Sequence, residues 1–216
     1  MASPELAIVH ADERLVAINK PSGMLVHRGW ARDDVVAVDL LAAQLGRYVW
    51  PLHRLDRGTS GIVVFALDAE TAREFSAALE HGEIGKRYLA LVRGHAPDEL
   101  LIDYSLRRVD SDDPERLPAR TLVRRLGEWE RYSLVEAVPY TGRTHQIRRH
   151  LKHIAHPIIG DVRYGKGAHN RMFRERFGLH RLALHAAELR FGELTIRAPL
   201  PDDLAGPLAS MGLVVG

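Results

Sequence analysis

The segment His53-Arg54-Leu55-Asp56-Arg57-Gly58-Thr59-Ser60-Gly61 sets a carboxylate between two guanidinium groups, just before the apolar run GIVVFAL at 61–67. A loop that leads into a buried strand is a rigid support for a reacting group. Flanking Arg54 and Arg57 would keep Asp56 ionised, which suits a nucleophile better than a general acid. An Asp that caps a turn and pairs with Arg at the surface would read the same, so residue types leave both roles open. Ser60 does not fit a hydrolase, because the nucleophile elbow needs Gly two positions later and this chain has Ile62.

Two further groupings could carry chemistry. Gly85-Lys86-Arg87-Tyr88 places a phenol among cations, where it could accept a proton or be a core ring with its hydroxyl at the rim. Thr141-Gly142-Arg143-Thr144-His145-Gln146-Ile147-Arg148-Arg149-His150 reads as the start of a helix capped by Thr144 or the turn before it. Its first N–H groups and nearby Arg side chains would make an anion site. His145, His150, His153 and His156 are spaced by five, three and three, without the adjacent Glu of the zincin pattern. Solvated or packed imidazoles are expected there rather than a metal site.

The elements that must position these groups follow from periodicity. Residues 5–10 and 14–19 read as two strands about a turn, and 35–46 as a helix ended by Gly46. Asp68 is placed to cap a helix with Ala72, Phe75 and Leu79 on one face, closing near Gly82. Residues 86–93 alternate as a strand with Tyr88, Ala90 and Val92 facing one way. Segment 107–119 is polar and broken by Pro, hence an exposed loop. Strands are expected at 120–126, 130–138, 182–190 and 193–198, loops with short helical turns over 157–180, and a short helix after Pro201. Strands with helices inserted point to an α+β fold with a mixed, mostly antiparallel sheet flanked by helices and loops.

Composition narrows the function classes. The 216 residues contain no Cys, which excludes disulfides, thiolate metal sites and thiol nucleophiles. No apolar run reaches the ~18–20 residues of a membrane helix, and the start MASPELAIVHADE is not a secretory signal, so a cytoplasmic protein is expected. A net charge of +2 hides an asymmetry: residues 141–181 hold ten Lys/Arg against Asp161 and Glu175, so the remainder is net negative. Local shortage of acids is the pattern of a polyanion-binding face. The strong preference for Arg over Lys has the simpler explanation of codon bias.

Three motifs occur in order: HRLDRGTSG (53–61), GKRYLALVRG (85–94) and TGRTHQIRRHLKHIAHPIIGD (141–161). Together they resemble the RluA-type pseudouridine synthases, which turn uridine in structured RNA into its C-glycoside isomer. IVHADERLVAINKPSGMLVH (8–27) is similar to that family's opening strands and RLALHAAELRF (181–191) to its closing ones. The resemblance implies a single catalytic domain over 1–216, without the N-terminal S4-like domain that many members carry. It implies that Asp56 is the aspartate needed for glycosidic cleavage, that Tyr88 takes the proton from C5, and that Arg148 pairs with the aspartate. Arg54 matches the residue that fills the gap left by a flipped nucleotide, and Arg57, Arg143, His145, Arg149 and Lys152 are the further expected RNA contacts. No cofactor is expected, because cleavage and re-formation are internal to one nucleotide. Within the family, 25–30 and 169–186 look most like the members that act on tRNA at uridine 65, with ribosomal RNA as the alternative substrate and a monomer as the default state. Two other functions remain. A non-catalytic RNA-binding protein would have no use for Asp56, and a glycoside hydrolase would need a second placed carboxylate.

Overall fold

Apolar runs punctuated by Gly, Pro and Asp divide the chain into short elements. The structure, a computed structural model, describes residues 5–28, 35–109 and 111–214. Gly29 and Trp30 of the 25–30 motif, and Asp110 of the polar loop, lie outside the described residues. In chain order the elements are β1 (Ile8–Ala11), β2 (Leu15–Lys20), α1 (Ala37–Leu45), β3 (Trp50–Pro51), β4 (Ser60–Ala66), α2 (Ala69–Glu80), β5 (Gly85–Arg93) and β6 (Glu99–Asp103). There follow β7 (Leu106–Arg107), β8 (Arg116–Leu117), β9 (Arg120–Trp129), β10 (Tyr132–Pro139), α3 (Gln146–His153), α4 (Gly167–Phe177), β11 (Leu184–Phe191), β12 (Leu194–Arg197) and α5 (Asp202–Ser210). They make two compact units, Met1–Gly85 with Ala186–Leu200, and Lys86–His185 with Pro201–Gly216.

In the first unit the strand order is β1–β2–β4–β11, with β3 also on β4 and β12 on β11. The β1–β2, β2–β4, β3–β4 and β11–β12 pairs are antiparallel. Every residue of β4 is buried, as its unbroken apolar run requires. Asp68 caps α2: its carboxylate accepts the Thr71 N–H at 2.7 Å and the Thr71 hydroxyl at 2.8 Å. Phe75 of α2 packs against Leu15, Ile62, Val64, Leu189 and Ile196, the core of this unit. The buried face of α2 is Thr71, Phe75 and Ala78, while Leu79 stays exposed, a rotation of one position from the expected stripe.

The second unit runs β5–β10–β9–β6, antiparallel throughout. The fold class is α+β with mostly antiparallel strands, as the alternation of elements implied. Strand β6, helix α4 and the two-residue strands β7 and β8 are absent from the sequence reading. Strand β6 (ELLID) sits at the edge of this strand set with only Ile102 buried, so its pattern shows no alternation of apolar and polar residues. Helix α4 occupies 167–177, where short turns were expected. Its sequence GAHNRMFRERF offers little apolar periodicity, and Asn170 and Phe173 are its buried residues. The polar 107–119 loop is pinched at its ends by the two-residue ribbon β7–β8.

Between α3 and α4, the Ile159 N–H donates to Leu91 O at 2.9 Å and the Ala183 N–H donates to Ile159 O at 2.9 Å. Gly160 follows with φ +78°, and a Cβ there would land on the Arg181 carbonyl. Gly160→Ala therefore combines a left-handed backbone with a backbone clash, and it should lower unfolding free energy by more than about 2 kcal/mol in urea denaturation. A change within about 0.5 kcal/mol of wild type would show that the turn relaxes freely.

Candidate active site

The loop bearing Asp56 is built in the first unit from the ends of β2 and β4. Lys20, the last residue of β2, is fully buried. A buried ammonium needs acceptors, and its Nζ donates to Pro21 O and Met24 O at 2.8 Å and to Arg57 O at 3.3 Å. The Gly23 N–H also donates to Arg57 O at 2.8 Å, and the Ser22 hydroxyl donates to Gly58 O at 2.8 Å. Within the loop, the Thr59 N–H closes a turn on Asp56 O at 3.0 Å. Leu55 is buried on one side of Asp56, and Gly61 (φ +113°) on the other admits the backbone of Ala186, where a Cβ could not fit. His53 accepts the Val64 N–H at 3.2 Å and stacks on Phe75. Asp56 is half-buried between exposed Arg54 and Arg57 on a loop held at both ends. Lys20 is the residue that sequence reading passed over. Its signal was a cation closing a buried strand ahead of Pro-Ser-Gly.

In the second unit Tyr88 lies half-buried on β5, opposite Ala137 of β10. Lys86, two residues earlier on the same strand, has its ammonium pushed below the ordinary lysine value by burial.

Arg148 is on α3 and is held by Asp161. Nε donates to Oδ2 at 2.8 Å and Nη2 to Oδ1 at 3.0 Å, with side-chain exposures of 10% and 0%. Asp161 Oδ1 also accepts the N–H groups of Arg163 and Tyr164, each at 2.9 Å. Burial alone would raise the Asp161 carboxyl. The Arg148 hydrogen bond, the Tyr164 N–H, the Arg148 charge and the Arg163 N–H outweigh it, so the group titrates below its ordinary range. Asn170 of α4 secures the turn, accepting the Gly160 N–H at 2.8 Å and donating to Asp161 O at 3.0 Å.

The start of α3 differs from expectation. Thr144 does not cap it: His145 occupies the cap in the left-handed region (φ 55°) with no side-chain cap bond. Buried Gln146 reaches back instead, its Oε1 accepting from the Thr141 hydroxyl at 2.6 Å and the Arg143 N–H at 3.1 Å. Its Nε2 donates to Arg120 O and Thr121 Oγ1 at 2.9 Å. The four histidines have separate surroundings. His145 meets the Tyr164 hydroxyl, His150 is buried against Thr121 and Tyr104 O, His153 stacks on Tyr104, and His156 bonds Arg93 O. Arg143 Nε donates to Pro118 O at 3.1 Å and Arg149 Nη1 to Arg107 O at 2.8 Å, so both brace the 107–118 segment. Lys152 is exposed. Arg148, Lys152 and Arg163 surround the Tyr164 ring at 5.1, 5.8 and 5.7 Å from its centroid. Each such contact is worth about 0.5–1 kcal/mol at an exposed site.

A sequence profile of the family described as RNA pseudouridylate synthase matches residues 14–153. The chain belongs to that family. The matched span contains Asp56, Tyr88 and Arg148, whereas Asp161 and Tyr164 lie beyond it. As an RNA pseudouridine synthase the protein is an isomerase. It is similar to the tRNA pseudouridine synthase C of Vibrio cholerae serotype O1, with 43% identity covering 96% of both chains. It is similar also to that of Salmonella typhimurium, 42% identical over 85% of this chain and 79% of the relative. Among solved structures, human RNA Pseudouridylate Synthase Domain Containing 4 superposes with a TM-score of 0.81 at 26% identity, covering 95% of this chain and 93% of the other. Among the described residues no helix is long and apolar enough to cross a membrane.

Asp161→Asn keeps the shape and removes the negative charge that the buried Arg148 guanidinium faces. At pH 7 this should cost about 3–5 kcal/mol of stability. The folded-state pKa of Asp161 lies below the unfolded value near 3.8. Its contribution is therefore complete above about pH 5 and is lost as the pH falls through the folded value. Urea melts of wild type and variant should differ most at pH 7 and draw together as the pH falls below 3.8; a gap that stays constant into acid would exclude the charge as its cause.

Proposed function

We propose that this pseudouridine synthase isomerises uridine 65 of tRNA, with Asp56, Tyr88 and Arg148 as its catalytic residues. The observation that carries the substrate is the 43% identity, across 96% of both chains, to a protein named tRNA pseudouridine synthase C. Similarity of that extent includes the loops and surfaces on which RNA choice depends. The two units together are read as one catalytic domain acting in the cytoplasm, with no cofactor.

The chemistry sets the roles. The C1′–N1 bond breaks, the base turns and rejoins through C5 to C1′, the C5 proton leaves and N1 gains one, so the nucleotide is isomerised with no net reagent. Asp56 promotes the cleavage, whether it attacks sugar or base or assists elimination. A loop tied down by Lys20 and Ser22 limits the motion of that carboxylate, which favours a fixed attack geometry. Arg148 pairs with the aspartate and orients it, and Tyr88 accepts the C5 proton. The glycosidic bond is inaccessible inside a stack, so the nucleotide must be flipped out; Arg54 fills its place. Arg57, Arg143, His145, Arg149 and Lys152 supply backbone contacts. Arg143 and Arg149 each engage one backbone carbonyl through a single nitrogen, and a guanidinium carries five donors.

Asp56→Asn should abolish tritium release from C5-labelled uridine in unmodified tRNA while RNA affinity stays within about threefold; residual turnover within tenfold of wild type would remove Asp56 from the chemistry. Release from ribosomal RNA fragments and not from tRNA would keep the reaction and overturn the substrate. Tyr88→Phe should bind RNA and fail to lose the C5 proton, and tritium release at the wild-type rate from that variant would exclude Tyr88 as the base.

A further inference from the structure

Strand β5 carries two unlike faces. Its register sets Tyr88 opposite Ala137 of β10, and Ala137 opposite Val123 of β9. Lys86 and Thr121 stand two positions along their own strands, so all five side chains share one face. On the other face cations meet carboxylates: Arg87 reaches Glu136, and Arg124 reaches both Glu136 and Glu99.

Helix α3 packs on the face of Tyr88. Gln146 Nε2 donates to Thr121 Oγ1 and His150 Nδ1 meets the same oxygen, both at 2.9 Å. Of the charged and titratable groups on α3, Arg148 is gripped by Asp161 and Arg149 holds Arg107 O. His150 also reaches Tyr104 O and titrates below its ordinary range because it is buried. His153 stacks on Tyr104, and Lys152 lies beside the Tyr164 ring.

Lys86 differs from the cations across the sheet. It is half-buried on a face where Ala137 and Val123 bring no charge, and among the described residues no carboxylate lies within ion-pair distance of it. Burial by itself lowers the value at which its ammonium titrates. An ammonium stripped of water is stabilised most by a negative charge formed beside it. Its neighbour two positions along, roughly 6.5 Å away at the backbone, is Tyr88. A phenol that takes a proton from carbon must first be a phenolate, and an unassisted phenol is ionised in roughly one molecule per thousand at pH 7.

We propose that Lys86 is a positioning residue for the base, its ammonium stabilising the Tyr88 phenolate that takes the C5 proton. The proposal rests on the reading of Tyr88 as that base and adds the group that makes it one. As the C5–H bond breaks, its electron pair becomes the C5=C6 double bond. The C6=N1 electrons pass to N1, which gains a proton from solvent. Tyr88 Oη is neutral once it holds the C5 proton, and it returns that proton to solvent before the next turnover. The ammonium favours this return and takes no proton from the substrate itself.

The test uses the full chain and follows tritium release from C5-labelled uridine in unmodified tRNA, in single turnovers from neutral to alkaline pH. A unit charge at this spacing moves an ionisation by roughly one pH unit. Lys86→Gln should therefore slow release about tenfold at pH 7 and less than about threefold near pH 9.5, where phenol ionises without help. RNA affinity should stay within about threefold of wild type. Lys86→Arg keeps the charge and should restore release to within about threefold at every pH. If Lys86→Gln does not fold, Lys86→Met keeps the aliphatic stem and should show the same pH-dependent loss.

A second measurement needs no variant of Lys86. The tyrosinate absorbance of wild type, less that of Tyr88→Phe, should rise below about pH 9, and in Lys86→Gln it should rise roughly one unit higher. A deficit equal at all pH would make Lys86 a structural residue, and weaker RNA binding with normal release would make it an RNA contact. Either result overturns the proposal, as does a wild-type tyrosinate signal that rises only at about pH 10 or above. Tritium release at the wild-type rate from Tyr88→Phe would remove the base reading, and this role for Lys86 with it. If Tyr88→Phe is inert and the Lys86 variants match wild type throughout, the base reading stands and this proposal fails. If wild type releases no tritium, the isomerase reading fails, and the absorbance titration alone decides whether Lys86 stabilises the phenolate.

Discussion

A guanidinium taken out of water must be paired and must have its donors directed, or the fold loses several kcal/mol. Arg148 meets that demand through Asp161, and much of the second unit is arranged to keep Asp161 in place. Its Oδ1 is shared among Arg148 and two backbone N–H groups, and its carbonyl accepts from Asn170 Nδ2 and the Gly165 N–H. Gly160 lets the chain pass close to Arg181 just before it. Helix α4 contributes through Asn170, whose side chain ties two parts of the same turn. Helix α3 is tied to the turn by the Arg148–Asp161 pair, and α4 is tied to the same turn by Asn170.

The first unit solves the matching problem with the opposite construction. There the buried group is a lysine, and backbone carbonyls from two segments accept from it. An ammonium is a compact charge with three rotatable donors, suited to gathering carbonyls from different directions. A guanidinium is a planar fork suited to one carboxylate. Lys20 thereby joins the end of β2 to the loop of Asp56, while Arg148 joins a helix to a turn.

The charge asymmetry also acquires a finer meaning. Ten Lys/Arg between 141 and 181 first suggested one polyanion-binding face. Several have structural partners: Arg148 with Asp161, Arg149 with Arg107 O, Arg143 with Pro118 O, Arg176 with Glu130 and Arg181 with Asp203. Arg181 is itself buried and donates to Leu182 O and Leu184 O as well. A count of cations thus overstates the charge available to RNA, because part of it holds the fold together. The cations grouped on Tyr164 are a narrower and better-defined feature than the window as a whole.

Much was legible in the residues alone. The three motifs carry the family, Asp68 announces the start of α2, and the continuous apolar run of β4 announces a strand covered on both faces. Local rules suffice there, since a cap, a run and a motif are each written within a few neighbouring positions. The stripe of α2 was read one position off, because Ala78 and Leu79 are both apolar and packing around Phe75 selects Ala78. Helix α4 and strand β6 were missed because their apolar faces are too narrow to show a period, and their partners lie elsewhere in the chain. The same limit applied to the site. Residue types put Asp56 and Tyr88 forward as candidates, and the resemblance carried by the three motifs added Arg148 and the role of each. Only the tertiary structure decided that Lys20 secures the Asp56 loop, that Asp161 grips Arg148, and that Tyr164 collects three cations, because a buried charge chooses its partner by distance in space, and sequence separation carries no record of that distance.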